Sequence, residues 1–337
     1  MVLRTPIHDL VPSPDLPVKV AFVGQSTFFE ACALEADVAA QAGIESRFFD
    51  YRFGEDAEPL LAGLAGFAPR VTVVFRPEIL PAGSLHDLPG AVVGFLTEPL
   101  PRRGRSAISH PDLERRLRDL RMVDPGNVDR TVAFDPMIVS AAESVLPVWR
   151  ALPLPVADRF FAPVGPQGPR PKALFVGRST PHREKVLAEA KGGGEVLHLG
   201  FGVDAGHLRQ LMAEYPVAVN VHNEPYPTFE NRVCLHLAAG QLLLSEELNP
   251  NHGLEPGIDY LEFRDGAVLA EMLGRLRSQP GLWRDIRIRG RLKAESFRAS
   301  RVYPRLIFDL LTDLRTRPSA RPGSRREPSS AGSVLVA

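Results

Sequence analysis

Short apolar runs, each followed by a helical pattern, recur along this 337-residue chain. VKVAFV (18–23), RVTVVF (70–75) and GAVVGFL (90–96) form one series, with SRFFDY (46–51) between them. KALFVG (172–177), EVLHLG (195–200) and PVAVNV (216–221) begin a second series. A strand that is apolar on both faces must be covered on both faces, as a parallel strand between two layers of helices is. The alternation of strand and helix therefore predicts an α/β fold with a doubly wound parallel sheet. Two series predict two sheets. The stretch between them, 146–171, is rich in proline and ends in a Pro/Gly run, the character of an interdomain boundary. The length also suits two domains.

This reading divides the chain into a loose lead-in (1–17), a first domain (18–150), a linker (151–171), a second domain (172–297), a last helix (298–316) and a tail (317–337). The tail is rich in Ser, Pro and Arg and is expected to be disordered. Within the first domain a helix is expected over 28–42, closed by Gly43. An amphipathic helix is expected over 111–120, and further strands at LRMVD (120–124) and TVAFD (131–135).

Composition narrows the function. Lys+Arg and Asp+Glu both number 40, so no bulk positive charge is available to hold nucleic acid. Cys32 and Cys234 fall inside apolar helical patterns and form neither a disulfide framework nor a zinc spacing. No His/Cys/carboxylate spacing suggests a metal site. No run approaches the length of a membrane span, and no signal-peptide pattern opens the chain, so a cytoplasmic protein without a transmembrane segment is expected. GQSTFF after the first strand lacks the later glycines of a dinucleotide fingerprint, which argues against a nicotinamide cofactor there. No cofactor is implied, and the oligomeric state is left open.

Ligands of open α/β sheets gather at the carboxyl ends of the strands. Residues 219–247, VNVHNEPYPTFENRVCLHLAAGQLLLSEE, read as strand, polar loop, helix and strand. The loop places His222, Asn223, Thr228, Glu230, Asn231 and Arg232 at such an end, and the following helix N-terminus favours anions. Gly177 ends the first strand of the second series, and Arg178, Arg183 and Lys185 follow it. Cations at the ends of two strands of one sheet suit a nucleoside diphosphate. In the first domain, Gly24, Gln25, Ser26 and Thr27 follow the first strand. Glu98 follows the fourth, with Arg102, Arg103 and Arg105 beyond it. Glu98 is placed either to act as a general base or to hold a substrate hydroxyl, and the three arginines could face phosphate.

Residues 172–297, through FVGRSTPHREKVL, the 219–247 stretch, LEPGIDYLEF and RGRLKAE, resemble the second half of the CgeB-like (spore-maturation-type) glycosyltransferases. The resemblance implies a GT-B fold: two Rossmann-like domains facing across a cleft, the last helix crossing back to the first domain. It implies a nucleoside-diphosphate sugar on the second domain, an acceptor of unknown identity on the first, and metal-independent transfer. Arg178 and Lys185 would then stabilise the leaving diphosphate, with Gly177, Arg183, His222, Asn223, Thr228, Glu230, Asn231 and Arg232 around the donor. Glu98 and the Gly24–Thr27 turn would face the acceptor. Leu235 stands where the family pattern has a glutamate expected to hold the ribose, so Glu224 or Glu230 would have to substitute. The alternative is a catalytically degenerate GT-B protein acting as a binding or partner subunit.

Overall fold

The computed structural model describes residues 17–104, 107–166, 172–200 and 203–325, and the expected lead-in at 1–16, Arg105, the end of the linker and residues 326–337 lie outside them. The chain divides into two compact units, Met1–Leu152 with Ala299–Ala337, and Pro153–Arg298.

The first unit begins with β1 (Val18–Gly24), α1 (Ser26–Phe29), α2 (Ala36–Gln41), β2 (Ile44–Asp50), α3 (Glu58–Phe67), β3 (Val71–Phe75) and β4 (Ala91–Leu96). It continues with α4 (Pro111–Leu120), β5 (Arg130–Ala133), α5 (Val139–Ala142) and β6 (Arg150–Ala151). The six strands are all parallel, in the order β2-β1-β3-β4-β5-β6. Every residue of β3 and β4 is buried, as continuous apolar runs require.

Two sequence expectations fail here. The helix over 28–42 is broken: a 3-10 turn at Glu30–Cys32 leads into extended backbone at Ala33, and the Ser46 hydroxyl donates to the Leu34 carbonyl at 2.7 Å. Residues 31 to 34 are all buried, and four consecutive residues cannot share one face of a helix. LRMVD is not a strand. Leu120 closes α4, and the Asp124 carboxylate accepts from Gly83 N at 2.7 Å and Gly126 N at 2.8 Å, capping a 3-10 turn.

Asp135 follows β5 and is fully enclosed, 3.4 Å from the Arg102 guanidinium. Arg102, expected to face phosphate, is thus buried against a carboxylate; Arg103 is exposed. Burial pushes the Asp135 carboxyl up to about 6 despite Arg102 and the Met137 N–H. Because the folded value lies above the ordinary 3.8, the folded state holds the proton more tightly. Its contribution to stability is therefore full below about pH 4 and fades as pH rises toward 6. Asp135→Asn should flatten that part of the stability-against-pH curve in urea titrations; an unchanged slope would assign it to another group.

The second unit contains β7 (Ala173–Val176), α6 (Pro181–Gly192), β8 (Val196–Leu199), α7 (Ala205–Glu214) and β9 (Val217–Asn220). It continues with α8 (Asn231–Ala238), β10 (Leu242–Ser245), β11 (Leu261–Glu262), α9 (Gly266–Ser278) and α10 (Arg284–Lys293). Its five parallel strands run β11-β10-β9-β7-β8. Phe175, Val217, Val219, Leu242 and Leu244 from three strands meet Leu187, Leu269 and Leu273 of the helices in one core. The chain leaves β7 for one edge through β8 and returns for the other through β9, so the topological switch point lies between β7 and β9.

The last helix, α11 (Ala299–Thr316), belongs to the first unit, where Tyr303 packs edge-on to Phe22 at 4.8 Å and donates to the Cys32 carbonyl at 2.7 Å. Arg130 and Arg150 pair with Asp313 and Asp309 of this helix at 2.6 Å and 2.5 Å. The tail expectation needs correcting for residues 317–325. Arg321 is buried, pairs with Asp129 at 3.0 Å and donates to the carbonyls of Leu85, Leu88 and Gly90. One buried guanidinium with a waiting carboxylate fixes a segment that composition alone reads as disordered.

Candidate functional site

At the switch point of the second sheet the loops leaving β7 and β9 meet. The Arg178 Nε donates to Asn223 Oδ1 at 2.8 Å, and the Thr180 hydroxyl to the Asn223 carbonyl at 2.8 Å. Thr180 also caps α6, accepting from Arg183 N at 3.3 Å, so one side chain fixes both the loop and the helix start. The remainder of the Arg178 side chain is exposed at this edge.

Beneath the loops lies a buried charge network. Glu230, the N-cap residue of α8, sits between Arg183 Nη2, at 3.1 and 3.2 Å, and Arg232, and also accepts from Asn223 N at 3.1 Å. Arg183 is 2% exposed. Its Nε reaches the Val221 and His222 carbonyls at 3.1 and 3.2 Å, and its Nη1 the Arg178 carbonyl at 3.1 Å. Arg232 donates to the Val221 carbonyl at 3.1 Å, and both guanidinium carbons lie 5.3 Å from the Phe175 ring centre. Burial, with Arg183 beside it, draws the Arg232 guanidinium down to about 10. Gly177 leaves room for this crowding: a Cβ there would stand 3.2 Å from each guanidinium, tighter than ordinary contact.

The structure therefore sorts the expected donor residues. Gly177, Arg178, Asn223, Glu230, Arg232 and the buried Arg183 converge. Arg183, however, is committed to protein acceptors and holds the loops, which corrects its expected place against a diphosphate. Lys185 is not brought in. Two residues along a helix turns the side chain by about 200°, so with Arg183 inward Lys185 lies on the exposed face of α6. Asn231 opens α8, and Thr228 is buried beside Leu248. Leu235 is buried on α8, and Glu224 is half-buried.

His222 leads from this network to a cavity of about 320 Å³ lined also by His182, Tyr226, Glu246, Glu247, Glu262 and Arg264. The Glu246 carboxylate takes the His222 backbone N–H at 2.6 Å and faces His182 Nε2 at 2.9 Å. The sequence reading passed over Glu246 and Glu247, although LLLSEE places them at a strand's carboxyl end, the signal used elsewhere.

In the first unit, Gly24 packs so closely that a Cβ would lie 3.1 Å from Phe29 and Phe75. Ser26 N donates to Asp50 at 2.7 Å, and Gln25 reaches Thr27 at 3.3 Å. Glu98 is engaged by Arg116 and, at 3.7 Å, by Arg76, whose backbone is left-handed at φ 62°. A doubly paired carboxylate suits holding a hydroxyl better than abstracting a proton.

HepE from Anabaena, solved with UDP-glucose, superposes with a TM-score of 0.56 at 14% identity, covering 88% of this chain and 100% of its own. The fold is GT-B. AviGT4, a glycosyltransferase of avilamycin A biosynthesis, gives 0.56 at 12% identity over 88% of this chain and 98% of its own. Sucrose-phosphate synthase from Thermosynechococcus elongatus gives 0.53 at 14% over 88% and 99%. No family model and no curated protein matches the chain in sequence. The return of the last helix to the first unit agrees with the GT-B expectation. Among the described residues no helix is long and apolar enough to cross a membrane, and no group of three or more metal-binding side chains occurs.

Proposed function

We propose that the protein is a glycosyltransferase that takes a nucleoside-diphosphate sugar on its second unit and passes the sugar to an acceptor served by Glu98 and the Gly24–Thr27 turn of the first. The observation that carries this reading is the meeting of the β7 and β9 loops at the switch point, where Arg178 is oriented by Asn223 and exposed. An exposed guanidinium at the carboxyl edge of a parallel sheet is placed to receive a diphosphate and to offset the charge that develops as it leaves. The N-terminus of α8 adds a favourable dipole. In this proposal metal-independent transfer rests on that cation and that dipole, and the finer kinship to CgeB-like enzymes rests on the resemblance of residues 172–297.

Calorimetric titration with UDP, GDP and dTDP tests the reading. At least one should bind, and Arg178→Ala should weaken it by about tenfold or more, the loss of one charge-assisted contact. Absence of binding by all three would sink the proposal.

The degenerate-enzyme reading also has an observation behind it. Leu235 is buried where the resemblance calls for a carboxylate, and Glu230 is already held by two arginines. Nucleotide binding without hydrolysis or transfer from any nucleotide-sugar would favour it.

A further inference from the structure

Four neighbouring strands of the first sheet end side by side. Asp50 closes β2 opposite Gly24 of β1, Val23 of β1 pairs with Val74 of β3, and Phe75 of β3 pairs with Phe95 of β4. The residues that follow these ends form one row, in the order β2-β1-β3-β4.

One end of the row is aromatic. Phe28, on α1 just after β1, is 45% exposed, and Phe53, just after β2, is 68% exposed. The two loops are tied together: Ser26 N donates to Asp50 at 2.7 Å and Tyr51 N to the Gly24 carbonyl at 3.1 Å. Phe53 stands at the tip of a closed turn. Glu55 N donates to the Arg52 carbonyl at 3.1 Å, Arg52 N to the Glu55 carboxylate at 3.0 Å, and the Tyr51 hydroxyl to the Glu55 carbonyl at 3.0 Å. Gly54 supplies the left-handed backbone, at φ 85°, that the turn takes after Phe53. An ordered turn that holds an apolar ring in water forgoes the gain of burying it, and a ligand that covers the ring restores that gain.

The other end is polar and carries an independent sign of function. Arg76 is left-handed at φ 62° although Pro77 follows it. Side chains disfavour that region, and a residue before proline is steered to extended backbone. Strain of this kind persists where the place of a side chain matters. Here it sets the guanidinium 2.9 Å from the buried Glu78 and 3.7 Å from Glu98. An N–H donor beside a carboxylate grips a hydroxyl through both its oxygen and its hydrogen. Around Glu98 the charges cancel, Arg76, Arg115 and Arg116 against Glu78, Glu98 and Asp112, so the pair favours neither an anion nor a cation. Neighbouring strands lie about 4.8 Å apart, which sets the aromatic end roughly 10–14 Å from the end of β4, further than one sugar ring reaches.

We infer that the acceptor is an uncharged molecule of at least two rings, lying across these strand ends with a hydroxyl between Arg76 and Glu98 and its far ring against Phe28 and Phe53. This rests on the glycosyltransferase reading above and adds the class of acceptor to it. The far ring offers an apolar face, either that of a second sugar or that of an aromatic aglycone.

Calorimetric titration of the full chain with methyl β-glucoside, methyl β-cellobioside, phenyl β-glucoside and glucose 6-phosphate tests the assignment, each alone and with any of UDP, GDP or dTDP that binds. At least one two-ring probe should bind about tenfold or more tighter than methyl β-glucoside, the scale of a covered aromatic contact. Which of the two gains more tells a sugar from an aromatic far ring. Glucose 6-phosphate should gain nothing over methyl β-glucoside. Phe28→Ser combined with Phe53→Ser should narrow the two-ring advantage to less than about threefold, at an unfolding midpoint equal to the parent's because both rings are exposed. Equal affinities, no binding by any glycoside, tightest binding by glucose 6-phosphate, or an advantage that survives the double variant overturns the inference. Association with phosphatidylcholine vesicles that the double variant abolishes also overturns it, since the rings would then serve a membrane. In each of these cases a bound nucleotide leaves the glycosyltransferase reading standing. Glycosides that keep the expected order in a protein that binds no nucleotide remove the nucleotide reading and support the row of strand ends as a two-ring site.

Discussion

Glu230→Ala is expected to lower the stability of the second unit by about 3 kcal/mol or more, the cost of removing one partner from a buried ion pair. The carboxylate lies between two guanidiniums, the buried Arg183 and the half-buried Arg232, which its loss would leave facing each other over Phe175. Glu230→Gln keeps an acceptor but not the charge, and should fall between the variant and the parent. Double replacement of Glu230 and Arg232 by leucine and methionine should recover part of the loss, because one of the two guanidiniums then leaves with the carboxylate while Arg183 keeps only its backbone acceptors. Guanidinium denaturation measures all three. A loss below about 1 kcal/mol for Glu230→Ala would mean that solvent screens the network as it screens surface pairs.

Arg321→Ala is expected to act on the first unit with similar size, about 3–5 kcal/mol. Arg321 and Asp129 are fully enclosed, 3.0 Å apart, and the same Asp129 oxygen accepts from Val92 N of β4 at 2.6 Å. Without the guanidinium the buried carboxylate keeps the Val92 N–H but loses its countercharge, and the Leu85 and Leu88 carbonyls lose this donor. Arg321→Lys should not rescue, since an ammonium cannot reproduce a fork that serves Asp129 and three carbonyls. The midpoint of thermal unfolding, followed by circular dichroism, reads the effect; a shift no larger than that of an exposed Arg→Ala control such as Arg305 would refute it.

Much of the architecture was legible in the residues, for a physical reason. Continuous apolar runs such as VTVVF and AVVGF have no soluble use except as buried parallel strands. The helix at Pro111–Leu120 appears where its alternating leucines and arginines predict. The broken segment at 30–35 was hidden because Ala, Cys and Leu are as compatible with a helix as with a buried turn. The site was legible as a place more than as a set of roles. Strand ends located the Arg178–Asn223 junction and, had the rule been applied to LLLSEE, would have located Glu246. Helical periodicity already forbids Arg183 and Lys185 a common face. Which arginine is sealed against Glu230 and which remains open depends on packing depth, and the sequence carries no measure of depth. Arg321 failed for the same reason: a disorder-prone composition says nothing about one carboxylate waiting 192 positions earlier.

The interrupted course of the first unit bears on how the protein is made. Its sheet is synthesised first, yet α11 and Arg321 emerge only after all of Pro153–Arg298. The Tyr303–Cys32 contact closes over 271 positions. The second unit is one unbroken stretch of chain, and every partner it needs is present once Arg298 has emerged. The nascent first part of that unit must therefore wait, with Phe22 and Cys32 lacking Tyr303, until the residues beyond Arg298 have emerged. Ribosome speed and chaperone attendance over that interval thus bear on the strands made before it, and Tyr303 and Arg321 are the residues that release them.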